Sequence, residues 1–334
     1  MVSVALSRSP TYRTDQTMEH FDVVVIGGGA AGLAAASTLA RSLRSVLVCD
    51  AGEPRNATSA AAHNILGHDG TSPQQVLQLA RDQAINYGVK LSGLAVTGLE
   101  GSLNQGFTVR TESEHFGARR IVLATGLRDT LPKIPGLGQG WGRSVLHCPY
   151  CHGWEVRGQR IAILGVSVMS SHQAQLFSQL SKHVTYLNHD PSTLAEDQRT
   201  TLEALGIEVV DSAVQALDVH DDGALHGITL SNGMVLDVDA AVVASSMHAN
   251  AELYLRLGGH LAQNPMGEYI ATDQMGATDI PGVYAAGNVA NLGAMILASA
   301  AAGVSAGAAI NFAFIQEAAE KALIERGQLS GRAC

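Results

Sequence analysis

An α/β protein of two Rossmann-like units, each a sheet sandwiched in three layers, is the fold class this sequence predicts, and three observations predict it. A strand, glycine turn, helix, strand pattern opens at residue 21 and restarts at residue 160. The 36 glycines against 4% aromatics suit helices packed closely on sheets. At 334 residues the chain exceeds one ordinary core, so two domains are expected.

Residues 21–26 are a short apolar run, Gly27-Gly28-Gly29-Ala30-Ala31-Gly32 a turn, 33–43 an Ala-rich helix, and 45–49 a strand closed by Asp50. Residues 51–72 read as loop and 73–87 as helix, and 89–125 alternates as strands ending at Ala124-Thr125-Gly126. A Gly- and Pro-rich connector, 127–142, marks a change of domain. The second unit has a strand at 160–164, a turn at 165–170, a helix at 171–181 and a strand at 183–187. Strands follow at 207–211, 213–219, 225–230 and 240–244, then a connector at 245–265 and a return at Gly282-Val283-Tyr284-Ala285-Ala286-Gly287. The expected organisation is a disordered extension at 1–20, a discontinuous first domain at 21–126 and 246–334, and a second domain inserted at 127–245. The uncharged stretch 292–316 has the length of a membrane span, but it is mostly Ala, Gly and Ser, with Asn311 inside. It predicts a buried helix.

A net charge of −9 leaves no basic stripe for nucleic acid or anionic lipid, so small neutral or cationic partners fit better. Four cysteines cannot staple a chain of this size. Two of them form Cys148-Pro149-Tyr150-Cys151, in which one thiol stabilises the other as the thiolate that attacks disulfides. Zinc would need a second ligand pair, which Cys49 and Cys334 do not make, so no metal is expected. A single redox-spaced pair agrees with a reducing cytoplasm.

Gly27, Gly29 and Gly32 fill a GxGxxG fingerprint between strand and helix, and Asp50 stands where a ribose is held. Such glycines let main-chain amides meet a pyrophosphate at the helix N-terminus. The second turn, Gly165-Val166-Ser167-Val168-Met169-Ser170, has serines at the second and third glycine positions. Its following strand ends Leu187-Asn188-His189-Asp190, with no arginine for a 2′-phosphate. Loss of NADPH binding is therefore expected here. His147 and His152 flank the cysteine pair, and an imidazole beside a thiol can move its proton. His152 is the preferred one, with His147 second, and His63 lies in a loop near the expected cofactor.

With these motifs, over about residues 21–315, the chain resembles the low-molecular-weight thioredoxin reductases. Within them, His147-Cys148-Pro149-Tyr150-Cys151-His152-Gly153-Trp154-Glu155 is similar to the branch that oxidises dithiols in natural products such as holomycin, gliotoxin and romidepsin. The resemblance implies a homodimer of pyridine nucleotide-disulfide oxidoreductase fold. Gly27, Gly29, Ala31, Gly32 and Asp50 would hold the ADP half of FAD, Ala124, Thr125, Gly126, Gly287 and Asn288 the rest, and Asn64 would sit near the isoalloxazine. Cys151 would be the flavin-proximal thiol, Cys148 the one exchanging with substrate, and His152 falls where the reductases keep an aspartate. Asn288 replaces the family's usual aspartate, with a neutral hydrogen bond to the cofactor as the expected remnant, and the Arg-Gln-Ala element that follows in reductases is absent. The implied activity is FAD-dependent closure of a disulfide in a small dithiol, with O2 as acceptor, H2O2 as product and NADPH unused. A thioredoxin reductase fed by NADPH or another donor such as ferredoxin is the alternative, and a flavin-binding scaffold without turnover the third reading.

Overall fold

The computed structural model describes residues 18–327. The expected extension over 1–20 lies mostly outside them, as does Cys334, but Glu19 and His20 already belong to the first strand, Glu19–Ile26. That strand is central to a seven-stranded sheet. On one side lie Val46–Cys49 and Lys90–Ser92, both parallel, and on the other His115–Leu123. Parallel neighbours need crossovers, which the helices Ala30–Arg41 and Pro73–Asn86 supply. The outer edge of His115–Leu123 is shared: its first half pairs with the hairpin strand Gly106–Thr111 and its second half with Val283–Ala285, which returns from the far end of the chain. Val46–Cys49 is buried at every position, as a strand covered on both faces must be.

The second parallel sheet orders Glu208–Val210, Val184–Leu187, Ile161–Leu164, Ala240–Val243 and Val145–Leu146. An antiparallel sheet of Val214–Val219, Leu225–Leu230 and Val235–Leu236 packs on it through Leu217, Ile228 and Leu230. The two stretches read as connectors carry strands. Leu127–Thr130 and Ser246–Ala249 pair antiparallel, Asp129 opposite Met247, in a four-stranded sheet completed by Leu261–Asn264 and Gly267–Ile270. The chain thus leaves the first sheet and returns to it along two adjacent strands.

The stretch expected to be a buried helix is the 30-residue helix Ile296–Glu325, and it is buried on one stripe only: Ser299, Gly303, Ala306, Gly307, Ile310 and Phe314. Just 28% of its most apolar window is covered, so small residues here serve one tight contact rather than a surrounding core. That contact is with Ala30–Arg41: a Cβ added at Gly303 would stand 2.0 Å from the Ala31 carbonyl oxygen. Gly303→Ala is expected to cost about 1–3 kcal/mol by overpacking. Denaturant unfolding of the FAD-loaded protein measures it, and an unchanged midpoint would mean that the two helices part freely.

Candidate active site

The first glycine turn is built to hold something other than protein. Gly27 has φ +105°, and a Cβ there would lie 2.3 Å from the Ala124 carbonyl oxygen, so the turn hugs the end of the neighbouring strand. Gly32 is equally confined, 1.9 Å from the Gly27 oxygen for its missing Cβ, and it packs the turn rather than facing the cleft. Gly29 is the opposite case: nothing lies within 4 Å of its missing Cβ. Behind Gly29 the helix Ala30–Arg41 begins with no side-chain cap, which leaves its first amides free for an anion. A cleft of about 590 Å³ opens there, lined by Gly27, Gly29, Ala31, Asp50, Ala124, Thr125, Gly126, Gly287 and Asn288 among others. Open space at Gly29, an uncapped helix start and an acid at the ribose position together fit the ADP portion of FAD. Asp50 accepts a hydrogen bond from Arg81 Nη2 at 2.9 Å, which orients its carboxylate at the cleft edge.

Cys148 and Cys151 line this same cleft, as do His147 and His152. Both sulfurs are free. Cys148 precedes the single turn Pro149–His152. Its thiol is brought down to about 6, because the Cys151 thiol donates to it, the amides of Cys151 and Tyr150 point at it and the Arg55 cation lies near, against the opposing effect of burial. Cys151 is pushed up, since it keeps the shared proton next to a buried anion. In the dithiol state the charge therefore sits on Cys148. Cys49, by contrast, is buried at a strand end and driven up to about 12 by that burial, which makes it inert.

A loop of the first unit clasps this segment. Asn64, in the left-handed region at φ 58°, donates from Nδ2 to the Tyr150 carbonyl at 2.5 Å. Asn64 thus meets the cysteine turn and does not line the cleft. His63 stands between Asp69 (Nδ1 to Oδ2, 3.2 Å) and Glu155 (Nε2 to Oε1, 3.4 Å), while Asp69 also accepts the Asn64 amide at 2.9 Å. His147 donates from Nδ1 to the Val243 carbonyl at 3.2 Å, and burial lowers its pKa. His152 is likewise lowered by burial, and its Nε2 is enclosed with no protein partner.

Asn288, which lines the cleft, also has a structural task for its amide. Nδ2 donates to the carbonyls of Asn291, Leu292 and Ala294 at 3.1, 3.2 and 2.9 Å, ordering the turn beside the cleft. An aspartate would face those carbonyls with no proton to give. Sequence reading also missed Arg55, whose guanidinium pairs with Asp129, and Gln173, which donates to the His147 carbonyl at 2.9 Å. Neither belongs to a motif.

The second glycine turn satisfies itself. The amides of Val166 and Ser167 both donate to Ser170 Oγ at 3.3 Å, and the Met169 amide donates to Ser167 Oγ at 3.3 Å. Ser170 is fully buried. Three main-chain amides of this turn are thus engaged by the two serine hydroxyls.

The sequence profile of the pyridine nucleotide-disulphide oxidoreductases matches residues 21–307. The chain belongs to this family. Among its relatives, the thioredoxin reductase tcpT of Claviceps purpurea is 30% identical, with 81% of this chain and 87% of that one covered. The thioredoxin reductase sirT of Leptosphaeria maculans is 29% identical over 87% and 94% of the two chains. Of solved structures, HlmI is similar at a TM-score of 0.86 and 37% identity, covering 94% of this chain and 98% of that one. An oxidoreductase from Agrobacterium tumefaciens follows at 0.84 and 31%, covering 89% and 99%. This pyridine nucleotide-disulphide oxidoreductase is thus a flavin-dependent thiol–disulfide oxidoreductase with FAD as its cofactor.

Proposed function

We propose that the protein oxidises a small-molecule dithiol to its cyclic disulfide, with O2 as the final acceptor, H2O2 as the co-product and no use of NADPH. The observation that carries this reading is a contrast between two turns that line the cleft: the first is open at Gly29, and in the second three amides are engaged by the hydroxyls of Ser167 and Ser170. Asp190, beyond the second turn, is tied to Ser192 and adds a negative charge where a 2′-phosphate would need a cation.

In this reading a substrate thiolate attacks Cys148 of the disulfide form, expelling the Cys151 thiolate, and the second substrate thiol then displaces Cys148. The substrate leaves as a disulfide and the enzyme holds two thiols, one ionised at Cys148. FAD, when bound, supplies the two-electron acceptor that restores the pair and delivers the electrons to O2. His152 handles the proton: burial keeps it neutral at pH 7, the form that accepts one. The chain works as a homodimer here, a reading supported by Leu297, Val304, Phe312 and Ile315 exposed on the uncovered side of Ile296–Glu325; sedimentation tests it.

Anaerobic mixing separates this function from a reductase. Bleaching of the flavin by a small dithiol such as dithiothreitol, with H2O2 appearing on aeration, supports the oxidase. Bleaching by NADPH supports the second reading, which the relatives named as thioredoxin reductases favour. His152→Ala is expected to slow transfer from thiol to flavin by about 10²- to 10⁴-fold. The deficit should shrink as pH rises and thiolates form unaided. A loss that stays constant with pH would return His152 to a packing role.

A further inference from the structure

We propose that Arg55 is a positioning residue for the cysteine pair: fixed on Asp129 where the chain crosses between the two sheets, it holds a cation at the wall of the cleft that Cys148 and Cys151 share. The inference rests on these cysteines being the redox pair, and on nothing about the substrate.

Arg55 lies in the loop after Val46–Cys49 and binds the Asp129 carboxylate as a fork, Nε at 2.6 Å and Nη2 at 2.8 Å. Asp129 belongs to the outgoing strand Leu127–Thr130. It also accepts the Ser245 hydroxyl at 2.6 Å, and Ser245 immediately precedes the returning strand Ser246–Ala249. One carboxylate thus joins both chain crossings to the Arg55 loop. Thr58 of that loop reaches further: a Cβ at Gly142 would stand 2.4 Å from its Oγ1, so the loop presses on the segment that runs through Val145–Leu146 into Cys148.

The fork is oriented. The Asp129 side chain is 7% exposed and that of Arg55 30%, and Arg55 itself lines the cleft. Its charge favours the ionised form of both Cys148 and Cys151, while that of Asp129 acts on His147. At a partly buried cleft wall the field of a guanidinium on a sulfur anion exceeds that of a fully exposed residue. The other titratable groups around the pair are His147 and His152 on its own segment, Asp129 on the outgoing strand, His63 and Glu155 at the clasp, and His172 on the packed helix Ser170–Ser178. Substitution at Arg55 keeps these side chains but removes the partner that holds the Asp129 carboxyl low.

The test is the pH dependence of iodoacetamide capture at Cys148 in the reduced, FAD-loaded enzyme, with the adduct located by mass spectrometry. The wild type is expected to show a midpoint near 6. Arg55→Gln should raise it, and Arg55→Lys, which keeps the charge without the fork, should raise it by less. An unchanged midpoint in Arg55→Gln, or equal shifts in the two variants, overturns the proposal. If the Gln variant does not fold, Arg55→Lys is compared with Asp129→Asn, which keeps the Arg55 charge and removes its anchor: midpoints unchanged in both overturn the proposal. Oxygen uptake with dithiothreitol is measured separately, so failure of the oxidase reading is distinguishable from failure of this one.

Discussion

Cys148→Ser and Cys151→Ser are each expected to lower dithiol turnover by on the order of 10³-fold or more, as loss of a nucleophile does, and to fail at different stages. In Cys151→Ser the serine hydroxyl can still donate to the Cys148 sulfur, as the thiol does in the wild type. The two amides and Arg55 also remain, so Cys148 stays ionised near neutrality. It should therefore attack the disulfide of a monothiol analogue of the substrate and hold one half as a stable mixed disulfide, because neither a second protein thiol nor a second substrate thiol is there to release it. Intact mass would report the adduct. In Cys148→Ser the sulfur that carries the charge is gone, and Cys151 no longer faces the anion that pushes it up. Its thiolate then forms within an accessible pH range and should give a long-wavelength charge-transfer band with the flavin, with no trapped substrate. A band in Cys151→Ser and an adduct in Cys148→Ser would exchange the two roles.

How far the sequence reaches depends on how local the signal is. The first unit is legible because strand, turn, helix and Asp50 follow one another within a single apolar rhythm; the expected helix at 33–43 is observed as Ala30–Arg41. Leu127–Thr130 and Ser246–Ala249 escape because each is short and finds its partner more than a hundred residues away. Their Gly and Pro content describes the flanks and hides the pairing. Glu196–Ala204 escapes for another reason: Leu202 is its sole buried residue, so no apolar stripe announces a helix. For Ile296–Glu325 the signal was present and misread. Gly303, Ala306, Gly307, Ile310 and Phe314 recur at three- and four-residue steps along one stripe, which means one covered face.

The site divides the same way. Cysteines, glycines and Asp50 belong to motifs whose spacing carries their chemistry, whereas the Arg55–Asp129 fork spans 74 residues and takes its third partner from Ser245. The serines of the second turn are legible as departures from the glycine pattern, but their hydroxyls' bonds to three of the turn's own amides are not.

Gly29→Val is expected to give a folded protein without colour. The backbone at Gly29 lies at φ −78° and ψ −172°, extended geometry that valine adopts readily. Apart from its chain neighbours, no protein atom comes within 4 Å of the added Cβ, so the substitution starts into open space in the empty chain. The branch instead enters the space on which the glycine turn and the uncapped helix start converge, where the pyrophosphate of FAD must approach the amides. Occupancy, read from the ratio of flavin to protein absorbance, should fall below about a tenth of the wild type, which at half-saturating FAD corresponds to roughly a 20-fold weaker Kd, or more than about 1.7 kcal/mol of lost binding. Thermal melts supply the control. Added FAD should raise the wild-type midpoint by mass action and leave that of Gly29→Val unmoved, while the two empty proteins melt together. Gly32→Ala should behave differently, because its Cβ would meet the Gly27 oxygen at 1.9 Å and force the turn apart, lowering the melt of the empty protein as well. If Gly29→Val folds and keeps full FAD occupancy, the first turn is not where the cofactor's phosphates lie.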